Sequence, residues 1–198
     1  MRTLSAVLLL FSCALIAQTN TDVVKPGDNL VIENIPPIPT AIAEEAHRYS
    51  ESRFAFLMGW HPQRREMLIG TRFAEVPQVH WVKMPGGARQ QMTFFPDHVV
   101  GADFPGKQSD FFVFQKDVGG GEWFQLYRFD VASGNITLLT DGKSRNTGPV
   151  YEHEGTHVIW SSTRRNNKDT DLWMMDTRDP ATARMVLQVE GGGWAASD

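Results

Sequence analysis

The segment His153-Glu154-Gly155-Thr156-His157 has the spacing of the zinc-peptidase motif H-E-x-x-H. In such peptidases two histidines on one face of a helix bind Zn²⁺, and the glutamate activates the bound water. Here Pro149 precedes the motif, Gly155 lies within it, and residues 158–163 that follow are mostly β-branched or aromatic, which indicates a strand. No later helical pattern supplies a third ligand. Zinc catalysis is therefore a remote alternative.

A serine nucleophile of the α/β-hydrolase type lies in a G-x-S-x-G turn between a strand and a helix. That motif does not occur in this sequence. The closest segment, Gly142-Lys143-Ser144-Arg145-Asn146, lacks the second glycine and precedes no helical pattern. We therefore predict no catalytic residue, no cofactor-binding residue and no metal ligand in this chain.

Composition and charge exclude several classes of protein. The chain has 198 residues, of which 41% are hydrophobic and 21% are charged, as is typical of a globular protein. It has 19 basic and 23 acidic residues and a net charge of −4, so it lacks the basic excess that drives nucleic-acid binding. One cysteine cannot form an internal disulfide framework or a thiolate zinc cluster.

The N-terminus has the pattern of a secretory signal peptide. Arg2 precedes an apolar run from Leu4 to Ala17, and polar residues follow at once. The run is shorter than the ~20 apolar residues of a membrane-spanning helix. We predict a signal peptide over residues 1–17 and a periplasmic or extracellular protein. The alternative is a lipoprotein box ending at Cys13, which would attach the chain to a membrane, although the bulky Phe11 departs from that pattern.

Residues 18–53 are predicted to form an extended lead-in and one short helix. Consecutive prolines at residues 36–39 exclude helix there. After them, Thr40 is a candidate N-cap for a helix from Ala41 to Tyr49. Ile42, Ala46 and Tyr49 would share one face of that helix.

Residues 54–198 alternate short runs of β-formers with clusters of turn residues, which is typical of strands. The runs come in sets of four, with boundaries at 54–94, 99–140 and 147–190, and residues 191–198 look like the start of a fourth set. The predicted strands are Phe54–Trp60, Glu66–Phe73, Gln78–Met84, Arg89–Phe94, Val99–Phe104, Asp110–Asp117, Phe124–Val131, Ile136–Thr140, Thr147–Glu152, His157–Arg164, Asp171–Thr177 and Ala183–Glu190.

The three sets repeat with a period of 46 to 47 residues. Gln78 aligns with Gln125 and then with Asp171, and Thr93 aligns with Thr140. Four short strands per 40 to 50 residues indicate the blades of a β-propeller. We therefore predict an all-β fold, a partial propeller of about three four-stranded antiparallel blades. Since closed propellers have four to eight blades, we expect this chain to be part of a longer protein.

The turn after the first strand of each set resembles the W-S-P-D-G-K turn of propeller repeats in the Tol system and in prolyl oligopeptidase family serine peptidases. These turns are Trp60-His61-Pro62-Gln63-Arg64, Phe104-Pro105-Gly106-Lys107 and Glu152-His153-Glu154-Gly155-Thr156. The flanking segments 34–39, 85–89, 139–149 and 161–166 resemble the N-terminal half of secreted bacterial members of the peptidase family.

This resemblance implies a propeller that admits and orients peptide substrates for a C-terminal α/β-hydrolase domain, which is absent from this sequence. The chain alone is then expected to be inactive. The alternative is a Tol-type propeller that binds other proteins. Four tryptophans in predicted strands are expected to pack between blades: Trp60, Trp81, Trp160 and Trp173. The run Arg164–Asp169 is expected to be a solvated loop or, alternatively, a contact for peptide carboxylates or the hydrolase domain.

Overall fold

The computed structural model describes residues 22–197, and the chain divides into two compact units between Ser52 and Arg53. The predicted signal peptide at residues 1–17, with Cys13, lies outside the described residues. Within residues 22–197, no helix has both the length and the hydrophobicity that a membrane span requires.

The N-terminal unit contains one helix, α1, at Thr40–Ser50. A β-bridge joins Val23 to Pro39 before the helix begins. The helix is present as predicted, but Pro39 and not Thr40 is its N-cap, and no side chain caps it. Thr40 is already helical, and its backbone N–H donates to the Asp22 carbonyl at 2.7 Å. None of the residues of α1 is buried, so its apolar face is solvent-exposed.

The C-terminal unit contains three four-stranded antiparallel sheets, in each of which sequence neighbours pair. Blade one is β1 (Ala55–Trp60), β2 (Met67–Thr71), β3 (Gln78–Val82) and β4 (Arg89–Gln91). Blade two is β5 (Val99–Asp103), β6 (Phe111–Lys116), β7 (Gln125–Asp130) and β8 (Ile136–Leu138). Blade three is β9 (Asn146–Tyr151), β10 (His157–Ser162), β11 (Asp171–Asp176) and β12 (Asp179–Leu187).

Blade two lies between the other two blades because both of its faces are apolar. Successive strand residues point to opposite faces of a sheet. Phe112 and Phe114 of β6 pack with Leu68 and Trp81 of blade one. Phe111 and Val113, which alternate with them along β6, point to the other face and belong to a core cluster shared with blade three. The other buried residues of that cluster are Leu126, Leu139, Val158, Trp160 and Met175. Two inter-blade cores therefore hold the three sheets together.

The residues that align between the sequence repeats form hydrogen bonds between each blade and the segment that follows it. Thr93 Oγ1 accepts from the Val79 N–H at 2.9 Å, and in blade two Thr140 accepts from Leu126 at 3.1 Å. The Gln78 amide donates to two carbonyls of the segment between blades one and two, those of Phe95 and Asp97. The 46-to-47-residue period thus reflects a repeated hydrogen-bonded closure of each blade.

Most predicted strand boundaries lie within three residues of the observed ones, and two expectations about strands differ more. Trp60 is 56% exposed and lies outside the inter-blade core, whereas Trp81 and Trp160 are 3% and 1% exposed. A register shift between Leu57 and Gly59 places Trp60 opposite Met67. Gly59 packs against Asp103 of blade two, so its neighbour Trp60 lies on the opposite face of the sheet. The last strand begins at Asp179, four residues before the predicted Ala183, because a tight turn follows β11.

Candidate functional site

The H-E-x-x-H segment lies at a turn between two strands and not on a helix. Residues 152–156 connect β9 to β10, and His157 is the first residue of β10. Gly155 has φ of +75°, in the left-handed region. Because no helix forms here, the two histidines of the motif do not share a helical face. The β-rich context of the motif predicted this.

The acidic residues of this turn already have partners within the protein. Lys107 Nζ donates to Glu154 Oε1 at 2.6 Å. Glu152 accepts hydrogen bonds from the Thr156 hydroxyl, from the Thr156 N–H at 2.8 Å and from the His157 N–H at 3.2 Å, and these bonds lower its pKa to about 2. In the described part of the chain, no three His, Cys, Asp or Glu side chains are grouped so that they could hold a metal ion.

This turn instead connects blade three to blade two. A Cβ atom at Gly155 would overlap the Pro105 carbonyl, and one at Gly106 would overlap the His153 carbonyl, so the two backbones are in direct contact. The Gln108 amide donates to the Glu154 carbonyl at 2.8 Å. Two of the three segments that resemble the W-S-P-D-G-K turn, 104–107 and 152–156, therefore have a structural role between blades.

The other polar residues singled out in the sequence also bind within the protein. Ser144 is buried, and its hydroxyl donates to Asp141 Oδ1 at 2.7 Å. In the loop at 164–169, Arg165 donates to Asp171 and Asp169, at 2.8 and 3.0 Å. The Arg164 guanidinium lies 4.7 Å from the centre of the Trp173 ring. These arginines hold the loop against β11.

A cavity of about 220 Å³ is lined in part by the first strand of each of the three blades. Met58 comes from β1, Asp103 from β5 and Tyr151 from β9, so all three blades contribute to the wall. We call these three strands the first-strand edge. Most of the remaining wall is apolar, and it includes Val113, Phe114, Leu126 and Pro149. Gln115 adds an amide, whose Nε2 donates to the Asn146 carbonyl at 2.9 Å.

Asp103 is the acidic group of this cavity. Its Oδ1 accepts from the Phe104 N–H at 2.8 Å and packs against Gly59, where a Cβ atom would overlap it. The residue is solvent-exposed at the end of β5, but the protein around its carboxyl group displaces part of the water and raises its pKa to about 6. Within residues 22–197 no ion pair engages Asp103.

Tyr151 is the second titratable group of the cavity. Burial raises the pKa of its hydroxyl, and the nearby Asp103 carboxylate raises it further. Sequence reasoning missed this pair because the two residues are 48 positions apart and meet only through the packing of blades two and three. The one available signal was that both lie at or near the end of the first strand of a repeat.

Comparison with known proteins supports the propeller fold. No family model matches the chain. A stretch of 71 residues, 36% of the chain, is 30% identical to the uncharacterized protein Atu1656 of Agrobacterium fabrum and spans 23% of that protein.

Solved structures extend the likeness over most of the chain. The putative TolB of Agrobacterium tumefaciens matches with a TM-score of 0.56 and 17% identity, over 72% of this chain and 52% of that one. TolB of Acinetobacter baumannii gives 0.53 and 19%, over 66% and 32%. A prolyl endopeptidase gives 0.55 and 14%, over 75% and 25%. The chain thus spans about half or less of each protein it matches, and the likeness establishes a propeller module without favouring either group.

Proposed function

We propose that this chain is the propeller part of an exported prolyl oligopeptidase-like serine peptidase, and that it orients peptide substrates without cleaving them. The observation that carries the proposal is that three propeller blades are joined to segments, at 34–39, 85–89, 139–149 and 161–166, that resemble the N-terminal half of that peptidase family. Since fold alone does not fix function, the peptidase assignment rests on the turn and flanking segments that resemble that family.

The partners of this module follow from the same proposal. An α/β-hydrolase domain elsewhere in the full protein would supply the catalytic residues, and an unfolded peptide would be the substrate. Export to the periplasm or beyond is proposed from the pattern of residues 1–17. The net charge of −4 makes nucleic acid an unsuitable partner.

A Tol-type binding propeller is the second candidate function, because two of the matched structures are TolB proteins. In that case the module acts through contacts with other proteins and has no hydrolase domain. The repeat pattern is compatible with both functions, since the degraded turns at 60–64 and 152–156 resemble both kinds of propeller.

A serine-reactive fluorophosphonate probe distinguishes the two functions. Cells that carry the natural gene are treated with the probe, and its product is captured with an antibody against residues 54–190. The peptidase function requires a labelled polypeptide larger than 22.3 kDa, with labelling blocked by prior treatment with an unlabelled serine inhibitor. A captured product that the probe does not label contradicts the peptidase function and favours the binding module.

A further inference from the structure

We propose that the cavity at the first-strand edge binds an ammonium group on an aliphatic stem, such as a lysine side chain of a peptide or protein partner. Asp103 and Tyr151 would form the polar end of this site, and Met58, Leu126 and Pro149 would contact the stem. The inference rests on the proposed function, because it names the chemistry that this module recognises in its partner.

The unpaired carboxyl group of Asp103 is the first argument for a cationic ligand. A carboxylate from which the protein displaces part of the water is stabilised by a cation or by several hydrogen-bond donors. In the described residues, Asp103 accepts one backbone hydrogen bond, from Phe104, and no cationic side chain forms an ion pair with it. Other acidic residues of the unit are paired: Asp171 with Arg165 at 2.8 Å, for example, and Asp97 with Lys116 at 3.2 Å.

The number of acceptors around the cavity suits an ammonium group, which has three N–H donors and no acceptor. The Asp103 carboxylate and the Tyr151 hydroxyl provide two acceptors. Gln115 provides a third, since its Nε2 already donates to the Asn146 carbonyl and its Oε1 is left as an acceptor. One residue of blade three and two of blade two would therefore surround a single bound cation.

The size and the walls of the cavity suit an alkyl stem. Its volume of about 220 Å³ is below the ~300–1,000 Å³ of pockets for drug-sized ligands, so one side chain is a better match than a larger ligand. Lysine buries its methylene groups against apolar surface while its ammonium group meets a polar partner. Met58, Val113 and Leu126 offer such a surface.

Calorimetric titration of the full chain with Nα-acetyl-lysine N-methylamide tests this site. We expect saturable binding at pH 7.5, and at least tenfold weaker binding of the neutral norleucine analogue. Asp103→Asn should lower the affinity for the lysine probe at least tenfold. Glu122→Gln is the matched control, because Glu122 is an exposed carboxylate in the loop after β6, and it should leave the affinity unchanged.

The pH dependence of binding gives a second readout. Because the pKa of Asp103 is about 6, its ionised fraction falls about tenfold between pH 7.5 and pH 5.0, and the affinity for the lysine probe should fall in proportion. Burial raises the pKa of Tyr151, which keeps the phenol neutral over this range, and the other residues that line the cavity do not titrate there. The Asp103→Asn variant should show a flat profile.

Equal binding of the lysine and norleucine probes, no saturation with the lysine probe, or full affinity in a folded Asp103→Asn variant would each overturn the site. If that variant does not fold, Tyr151→Phe replaces it, with an expected two- to fivefold loss of affinity and an unchanged pH profile. The probes need neither a hydrolase domain nor a partner protein. Failure of this titration is therefore distinguishable from failure of the fluorophosphonate labelling.

Discussion

Two features of position 155 require glycine: its backbone is left-handed, and it lies in direct contact with the Pro105 carbonyl. Gly155→Ala is expected to lower the free energy of unfolding by about 2–4 kcal/mol, because left-handed strain of ~1–2 kcal/mol adds to displacement of the neighbouring turn. Gly134→Ala is the matched control: its φ is +73° and no atom lies within 4 Å of the added Cβ, so about 1 kcal/mol is expected. Urea denaturation of both variants measures the difference.

Equal losses in the two glycine variants would mean that the turn of blade three does not need its close contact with blade two. A larger loss at Gly155 assigns the difference to that contact, since the backbone strain is matched.

Asp103 should also make the stability of the protein depend on pH. Its pKa is about 6 in the folded state and ~3.9 in an unfolded chain, so the folded state binds more protons between these values. The favourable contribution of the protonated group is fully present below pH ~4 and is lost as the pH rises through 6. Compared with the natural protein, Asp103→Asn should therefore become relatively more stable from pH 4 to pH 7.

Thermal denaturation of the natural protein and of Asp103→Asn across this pH range measures the effect. A difference between the two proteins that stays constant with pH would show that the carboxyl group has an ordinary pKa in the folded state.

At the scale of the strand and its linker, Gln125 at the start of β7 binds the segment that leads from blade two to blade three. Its Nε2 donates to the Ser144 carbonyl at 2.6 Å, and its Oε1 accepts from Thr140 and from the Gly142 N–H. Gln125→Leu should cost about 2–4 kcal/mol of unfolding free energy, because several buried polar groups lose a partner at once. Gln90→Leu, at an exposed position of β4, should change it by less than ~0.5 kcal/mol.

Urea denaturation compares the two glutamine variants. A loss at Gln125 no larger than that at Gln90 would contradict the closure role and leave the repeat of Gln78 and Gln125 without a structural explanation.

The strands could be predicted where apolar and polar residues alternate and turn residues mark both ends. The starts of β3 and β11 at Gln78 and Asp171 were predicted, and β7 starts at Gln125, one residue after the predicted Phe124; each strand begins with a polar residue that anchors a linker. The position of Trp60 was not predictable, since a register shift within β1 changes which residues share a face without a sequence signal. The cavity was missed for a related reason: its residues come together through blade packing.

At the scale of the propeller unit, proteins with different functions share the fold. TolB proteins and a prolyl endopeptidase match the chain with TM-scores of 0.53 to 0.56. The inter-blade cores and turn contacts explain stability in either group and do not select a function. Side chains at the first-strand edge, where Met58, Asp103 and Tyr151 bring all three blades to one cavity, are therefore the better place to look for specificity.

The two faces of blade three lead to a prediction about association. Val158, Trp160 and Met175 pack toward blade two, so alternation places Ile159 and Met174 on the opposite face, where they line a second cavity of about 250 Å³. Blades of a propeller bury both faces against neighbours.

A polypeptide of residues 18–198 should therefore self-associate through this face, with an apparent mass in sizing chromatography that rises with concentration. The double variant Ile159→Thr, Met174→Gln should reduce that mass, because it replaces apolar contacts with polar groups. A monodisperse monomer of the natural sequence with one sharp unfolding transition would show that this face needs no partner.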